Sequence, residues 1–399
     1  MKITHIHIER FRGFQNEDFE VGSLLTAIAG QNGTQKSTLL GIITQTFTLK
    51  TEDSMRVEKP LCGGSYISAF KDKFRLSPTF DKPKGHEWTI SFDAGMDDFT
   101  VESIKRTGDP NVRFWKKGAR QEGDGYISFP TIFLSLKRLV PVAEEAKIIT
   151  DDTLLTQEEL NEFKQLHNKI LIAQTPISSA TTITSKNKQS IGVSTELYDW
   201  NQNSMGQDNL GKIILALFSF KRLHDKYPRQ YKGGILAIDE MDATMYPASQ
   251  VELLKVLRKY ASKLNLQILF TTHSMSLLKA MDDLVQEVTK KEETANQAKI
   301  LYLKKVDDKI AIKQGVNFKG IQLDLNVVAE GNNRKKNRIT AYTEDKENIL
   351  FVKAILKSKA FVLDFVDVTL PCSTLMELVT KRVPAFIYPY SIVILDGGC

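Results

Sequence analysis

The stretch Ile28-Ala29-Gly30-Gln31-Asn32-Gly33-Thr34-Gln35-Lys36-Ser37-Thr38-Leu39-Leu40 decides how the rest of the chain is read. The apolar run Leu24 to Ala29 predicts a strand, and the residues from Ser37 to Phe47 predict a helix. Between them lie two glycines, then a lysine followed by two hydroxyl residues. That is the strand–loop–helix order of a phosphate-binding loop. Backbone N–H groups of the turn and the helix N-terminus cradle phosphate oxygens, Lys36 supplies a point charge, and Ser37 offers an oxygen to Mg²⁺. Asn32, Gly33, Thr34, Gln35 and Thr38 complete the nucleotide-facing set. The pattern departs at Gln35, because glycine is usual immediately before the lysine. If that position takes φ > 0, glutamine is strained there.

The composition suits such a site. At 399 residues the chain has room for two or three domains, and 42% hydrophobic with 26% charged residues describe an ordinary globular protein. No apolar run approaches a membrane span and the N-terminus lacks a signal-peptide core, so the expected compartment is the cytoplasm. Three cysteines without metal-ligand spacing argue against a disulfide framework and a zinc site. A net charge of +6 permits a nucleic-acid partner without requiring one.

Ahead of the loop, Ile3, His5, Ile6, His7 and Ile8 predict a strand that turns at Phe11-Arg12-Gly13-Phe14. His5 and His7 share a face, as a metal pair or as ordinary exposed histidines. Trp88–Phe92 and Phe99–Ile104 predict antiparallel strands. Lys105-Arg106 and Val112-Arg113-Phe114-Trp115-Lys116-Lys117 interleave basic and aromatic side chains. Such a pattern belongs to a DNA-contacting surface or to a solvated sheet edge. Pro130–Leu136 reads as a buried strand, residues 143–172 as helical with a Thr156/Glu159 capping box, and Ser178–Lys188 as a mobile loop.

A second cluster follows. Ser204-Met205-Gly206-Gln207 precedes a helix with apolar Leu210, Ile213, Ile214, Leu217 and Phe218. Gly234–Ile238 is an apolar strand ending in Asp239-Glu240; a helix over Gln250–Leu264 leads to Leu266–Thr272, a strand ending at His273-Ser274. Apolar strands separated by helices predict a parallel sheet with its chemistry at the carboxyl ends. There Asp239 would hold the Mg²⁺ shell, Glu240 would polarise the attacking water and His273 would meet the γ-phosphate.

Together these stretches resemble the ABC-type ATPases, and more narrowly the SMC-like, RecF-like and OLD-family branch. The Phe11-Arg12-Gly13-Phe14 turn, Asp239-Glu240-Met241-Asp242 and Tyr246-Pro247 fit that branch. The resemblance implies an α/β fold whose head, residues 1–325, carries a mixed sheet split by a helical and flexible insertion at about 141–200. It also implies two heads sandwiching ATP, so a homodimer or a higher even-numbered homo-oligomer. Ser204, Gly206 and Gln207 of one head would act on nucleotide held by the other, and Asp242 would lie between heads. The insertion shows no long heptad repeat, so a coiled-coil arm is not expected.

Beyond a basic linker at 326–337 the sequence starts a new α/β pattern at 338–399. Strands are expected at 339–343, 361–368 and 391–396, with helices at 348–357 and 374–381. Two of the strands end in carboxylates, Glu344 and Asp396, which suits a divalent-metal site or a small structural cap. This tail resembles a Toprim domain, which would bind Mg²⁺ or Mn²⁺ through Glu344 and Asp396. Asp345 replaces the family's glycine, and Gly398 its second aspartate, so the domain looks incomplete. Head plus Toprim is the OLD-family layout. It implies an ATP-hydrolysing DNA endonuclease, with DNA as partner and a role in anti-phage defence. Some relatives pair with a retron reverse transcriptase and its DNA–RNA product. The alternative is an SMC/RecF-like ATPase for DNA repair or scaffolding with a non-catalytic tail.

Overall fold

The computed structural model describes residues 1–67, 70–93, 95–105, 112–119, 124–140, 147–152, 154–185, 189–330, 339–388 and 391–395. Asp396, Gly398, Lys186, Lys188, Arg106 and the linker stretch 331–338 lie outside the described residues. The chain divides into two compact units, Met1–Leu323 and Asp324–Cys399.

In chain order the first unit begins β1 (Ile3–Phe11), β2 (Phe14–Glu20), β3 (Leu25–Gly30), α1 (Lys36–Thr44), β4 (Phe47–Thr48), α2 (Phe70–Lys73), β5 (Glu87–Phe92), β6 (Phe99–Lys105) and β7 (Val112–Lys116). It continues β8 (Ile127–Ser128), β9 (Thr131–Leu134), β10 (Ile149–Asp152), α3 (Gln157–Leu171), β11 (Ser179–Thr184), β12 (Gln189–Ser194) and α4 (Met205–Lys226). Then come β13 (Gly234–Ile238), α5 (Pro247–Lys263), β14 (Leu266–Thr272), α6 (Met275–Val288), β15 (Ala298–Val306), β16 (Lys309–Lys313) and α7 (Phe318–Glu330), within which the first unit ends.

The central sheet has six strands in the order β16-β15-β3-β14-β13-β9. All pairs are parallel except β15 with β16, so β3, β14 and β13 end at one edge. The parallel run β15-β3-β14-β13-β9 matches the expectation from the apolar runs, and antiparallel β16 makes the sheet mixed. Every residue of β3, β13 and β14 is buried, as strands covered on both faces require. An antiparallel five-stranded sheet, β2-β1-β5-β6-β7, forms a second layer. Leu39, Ile42 and Ile43 of α1 join one core with Ile6, Ile8, Phe11, Trp88, Ile90 and Phe114 of that sheet. The phosphate-loop helix is therefore held from both sides.

Two readings need correction. Residues 149–152, expected to be helical, form strand β10, and the helix α3 starts only at Gln157. Ser179–Thr184, expected to be mobile, is the middle strand of the antiparallel sheet β10-β11-β12. Its β-branched Thr-Thr-Ile-Thr run suits a pleated strand, and Ala180 and Ile183 are buried. The capping box of α3 is present: Glu159 N donates to Thr156 Oγ1 and Thr156 N donates to Glu159 Oε2. Among the described residues no helix is long and apolar enough to cross a membrane.

The second unit holds β17 (Ile339–Thr343), α8 (Lys346–Leu356), β18 (Leu363–Phe365), α9 (Cys372–Thr380) and β19 (Ser391–Ile394). The three strands are parallel in the order β18-β17-β19. β18 is shorter than the expected 361–368 because its pairing with β17 runs only from Ile339↔Leu363 to Ala341↔Phe365. Cys62 is free and buried, whereas Cys372 is disulfide-bonded, against the expectation from cysteine spacing.

Candidate nucleotide site

Sheet order places the chemistry. β14 lies between β3 and β13, so the loop after β3 and the acids after β13 flank one strand end. Thr271, near the end of β14, joins the two sides. Its Oγ1 donates to Asp239 Oδ1 at 2.7 Å and accepts from Glu240 N at 2.6 Å. Ser37 Oγ donates to the same Asp239 Oδ1 at 2.9 Å, across 202 residues of sequence. Asp239 is buried and its carboxylate accepts both hydroxyls.

The loop is shaped by left-handed residues. Gly30 has φ 151° and Gly33 φ 81°. A side chain at Gly30 would stand 2.4 Å from Leu303 O, so only glycine fits there. Gln35 takes φ 62° and ψ 32°, the left-handed conformation in which a glutamine is strained. That geometry costs a non-glycine residue about 1–2 kcal/mol. Thr34 Oγ1 donates to Gln31 O at 2.8 Å. Lys36 is buried and its Nζ donates to Gly30 O at 3.0 Å and Gln31 O at 2.9 Å, across the loop. Burial lowers the Lys36 pKa, opposed by the nearby charges of Glu240, Asp239 and Asp242. Asn32 and Ser37 are exposed at the loop surface, and Thr38 Oγ1 accepts from Arg12 Nη1 at 3.4 Å.

The acid turn is gripped from behind by residues the sequence reading missed. Arg138, 2% exposed, sits in a short turn after β9. Its Nη2 donates to Glu240 O at 2.8 Å, its Nε to Asn209 Oδ1 at 2.7 Å, and its Nη1 to Leu134 O and Ser135 O. Burial pulls its pKa down to about 10, against the pull of Asp239, Glu240 and Asp242. Asn209 Nδ2 then donates to Ala243 O at 2.9 Å. Gln250 Nε2 donates to Asp242 O and Met245 O, and its Oε1 accepts from Ser274 Oγ. The strand-end acids had a sequence signal; these long-range braces had none beyond an Arg next to a buried strand.

His273 N lies 3.4 Å from both carboxylate oxygens of Asp242. Its imidazole pKa is lowered by desolvation and by Lys36, against the three acids. Ser204 caps α4 with Gln207 in a reciprocal box, and Gln207 Nε2 donates to Tyr198 Oη at 2.8 Å. A side chain at Gly206 would stand 2.6 Å from Thr244 O, so the start of α4 packs on the acid turn. Ser204 and Met205 are exposed.

These residues fit ATP and Mg²⁺. Ser37 and Asp239 present a hydroxyl and a carboxylate oxygen within 2.9 Å of each other, beside a lysine and a left-handed loop. Mg²⁺ takes one or two carboxylates with substrate phosphates and waters, so no larger cage is needed. Among the described residues no cluster of three or more His, Cys, Asp or Glu side chains could hold a metal.

Residues 136–278 match the AAA ATPase domain. The chain thus carries an ATPase domain. No curated protein matches the chain. Among solved structures it is similar to the SMC head domain from Thermotoga maritima, at 14% identity and TM-score 0.43, over 79% of this chain and 100% of the other. An SmcHead bound to the C-winged helix domain of ScpA matches at 14% identity and TM-score 0.47, over 81% and 100%. An Smc head domain with an extended coiled coil, bound to the C-terminal domain of ScpA derived from Pyrococcus furiosus, matches at 13% and TM-score 0.44, over 82% and 99%.

The other candidate residues lie elsewhere. His5 Nε2 meets Asp18 Oδ1 at 3.1 Å, and His7 meets Asp18 Oδ2 through Nδ1 at 3.0 Å and Glu9 Oε2 through Nε2 at 3.4 Å, so both histidines pair with surface acids. β7 is the edge of its sheet, with Val112 and Phe114 buried, Lys116 over the Phe99 ring and Lys117 paired with Glu87. A solvated sheet edge accounts for that pattern. Glu344 is half-buried in the second unit, at the end of β17.

Proposed function

We propose that the chain is an ATP-binding and hydrolysing head whose nucleotide cycle controls a metal-dependent, Toprim-like DNA endonuclease in the second unit, as in OLD-type proteins. The observation that carries the first half is the Ser37–Asp239–Thr271–Glu240 hydrogen-bond chain, which joins loop and acids at one sheet edge. Lys36 and the loop N–H groups bind the phosphates, and Ser37 and Asp239 hold Mg²⁺, which neutralises charge on them. Glu240 takes the proton of the attacking water as oxygen bonds to the γ-phosphorus and ADP leaves. Arg138 and Thr271 fix the backbone of that glutamate, and His273 meets the γ-phosphate. The exposed start of α4 suits contact with a second head, with Ser204, Gly206 and Gln207 reaching its nucleotide and Asp242 lying between the heads.

For the second unit, three parallel strands with Glu344 ending the central one support a metal site, which Asp396 would complete. Phage defence and a retron reverse-transcriptase partner rest on the family resemblance alone. One observation favours the non-nuclease alternative. Asp345, where the Toprim pattern has glycine, caps α8 by accepting from Asn348 N at 2.9 Å. The test is cleavage of plasmid and single-stranded DNA with Mg²⁺ or Mn²⁺, with and without ATP. Cleavage abolished by Glu344→Ala, with ATP hydrolysis intact, is the expected result. Hydrolysis without cleavage under either metal would leave a repair or scaffolding ATPase.

A further inference from the structure

We infer that Gln35 is a positioning residue that fastens the phosphate loop to the Arg12–Gly13 turn and so sets how long nucleotide stays bound. The inference rests on the ATP-binding reading above. Gln35 occupies the left-handed position with φ 62°, and its side chain makes no capping hydrogen bond to α1. What it gains lies outside the loop. A methyl group built on Gly13 would stand 2.8 Å from Gln35 Nε2 and 3.5 Å from its Cδ, so the carboxamide lies where a Gly13 side chain would be. Its Oε1 is buried without a hydrogen-bond partner, so shape holds the group rather than an acceptor bond.

The turn beneath is itself anchored. Ile310 N, in β16, donates to Gly13 O at 2.8 Å. Arg12 donates from Nε and Nη2 to the buried Asp81, at 3.1 Å each, and from Nη2 to Arg75 O at 2.7 Å. Asp81 is held in turn by Ser77 N and His86 Nε2. Arg12 Nη1 reaches Thr38, three residues past Gln35. One turn therefore contacts the loop–helix junction on both sides of Lys36. A glycine at 35 would leave the loop free to open alone; glutamine makes opening drag its carboxamide off Gly13.

The test uses the full chain and stopped-flow release of a fluorescent ADP analogue, for wild type, Gln35→Gly, Gly13→Ala and the double variant. Gln35→Gly is expected to speed release about fivefold or more and to raise KM for ATP without lowering kcat. Its Tm should not fall, because glycine adopts the left-handed conformation freely. Gly13→Ala should speed release by a similar factor alone and by less than about twofold on top of Gln35→Gly. Its clash with Ile310 Cγ1, at 2.7 Å, is common to both backgrounds and cancels in the cycle. Additive effects, or release from Gln35→Gly within twofold of wild type, overturn the inference while leaving the ATPase reading intact. A wild-type chain that binds no nucleotide overturns the reading beneath it.

Discussion

β13 and β17 are both short strands of parallel sheets that run into a pair of acids, Asp239-Glu240 and Glu344-Asp345, yet the two pairs are used differently. In the head, Asp239 accepts hydroxyls from residues 202 and 32 positions away, and the Glu240 backbone is held at its N–H by Thr271 and at its carbonyl by Arg138. In the second unit, Asp345 accepts from Asn348 N three residues on, and Glu344 O accepts from Leu370 N. The head's acids take partners that converge from distant positions, whereas Asp345 takes a local partner and caps a helix. What distinguishes the head is a brace behind the acid turn, Arg138 with Asn209 of α4 and Gln250 of α5.

Removing the brace should have the largest effect on stability. Arg138→Met leaves the Glu240 and Leu134 carbonyls and Asn209 Oδ1 without their cation. A loss of about 3 kcal/mol by urea unfolding is expected, with hydrolysis falling more in kcat than in KM. An unchanged kcat would show that the acid turn holds itself, as the turn after β17 does.

The head also carries a pH sensitivity of its own. His167, on α3, is 2% exposed, stacks on Phe163 at 5.8 Å, and has both ring nitrogens buried without partners. Burial lowers its pKa from 6.5 to about 4. The folded state therefore favours the neutral ring: its contribution is full above pH 6.5 and is lost as pH falls toward 4. Wild type should lose about 2 kcal/mol between pH 7 and 5 from this group. His167→Leu should remove that slope in parallel denaturation series, and equal slopes would place the sensitivity elsewhere. Thr156→Ala, at the start of the same helix, should cost about 1 kcal/mol, read as a shift in the urea midpoint.

Much of this architecture was legible in sequence because it is written locally. β3, α1, β13 and β14 follow from apolar runs bounded by turn residues, and the loop pattern marks Gln35 as the departure that the structure places in the left-handed region. The sheet over 149–194 was not. Its Thr- and Ser-rich strands look like low-complexity sequence until Ala180, Thr182 and Ile183 are seen to be buried. Arg138 and Asn209 were equally silent, since a hydrogen bond between positions 71 apart leaves no periodic trace. Asp345, a departure from the metal-site pattern in sequence, carries a local signal of its own, an acid immediately before a helix, and the structure makes it the cap.

Glu240, held by Thr271 and Arg138 beside Ser37 and Asp239, is the proposed base of ATP hydrolysis. The most direct measurement is steady-state hydrolysis and nucleotide retention by wild type and Glu240→Gln with Mg²⁺. Hydrolysis by the variant is expected to fall about 10²–10⁴-fold, with ATP bound as tightly as in wild type and recovered uncleaved. Equal hydrolysis by the two proteins, or loss of ATP binding in the variant, would contradict it.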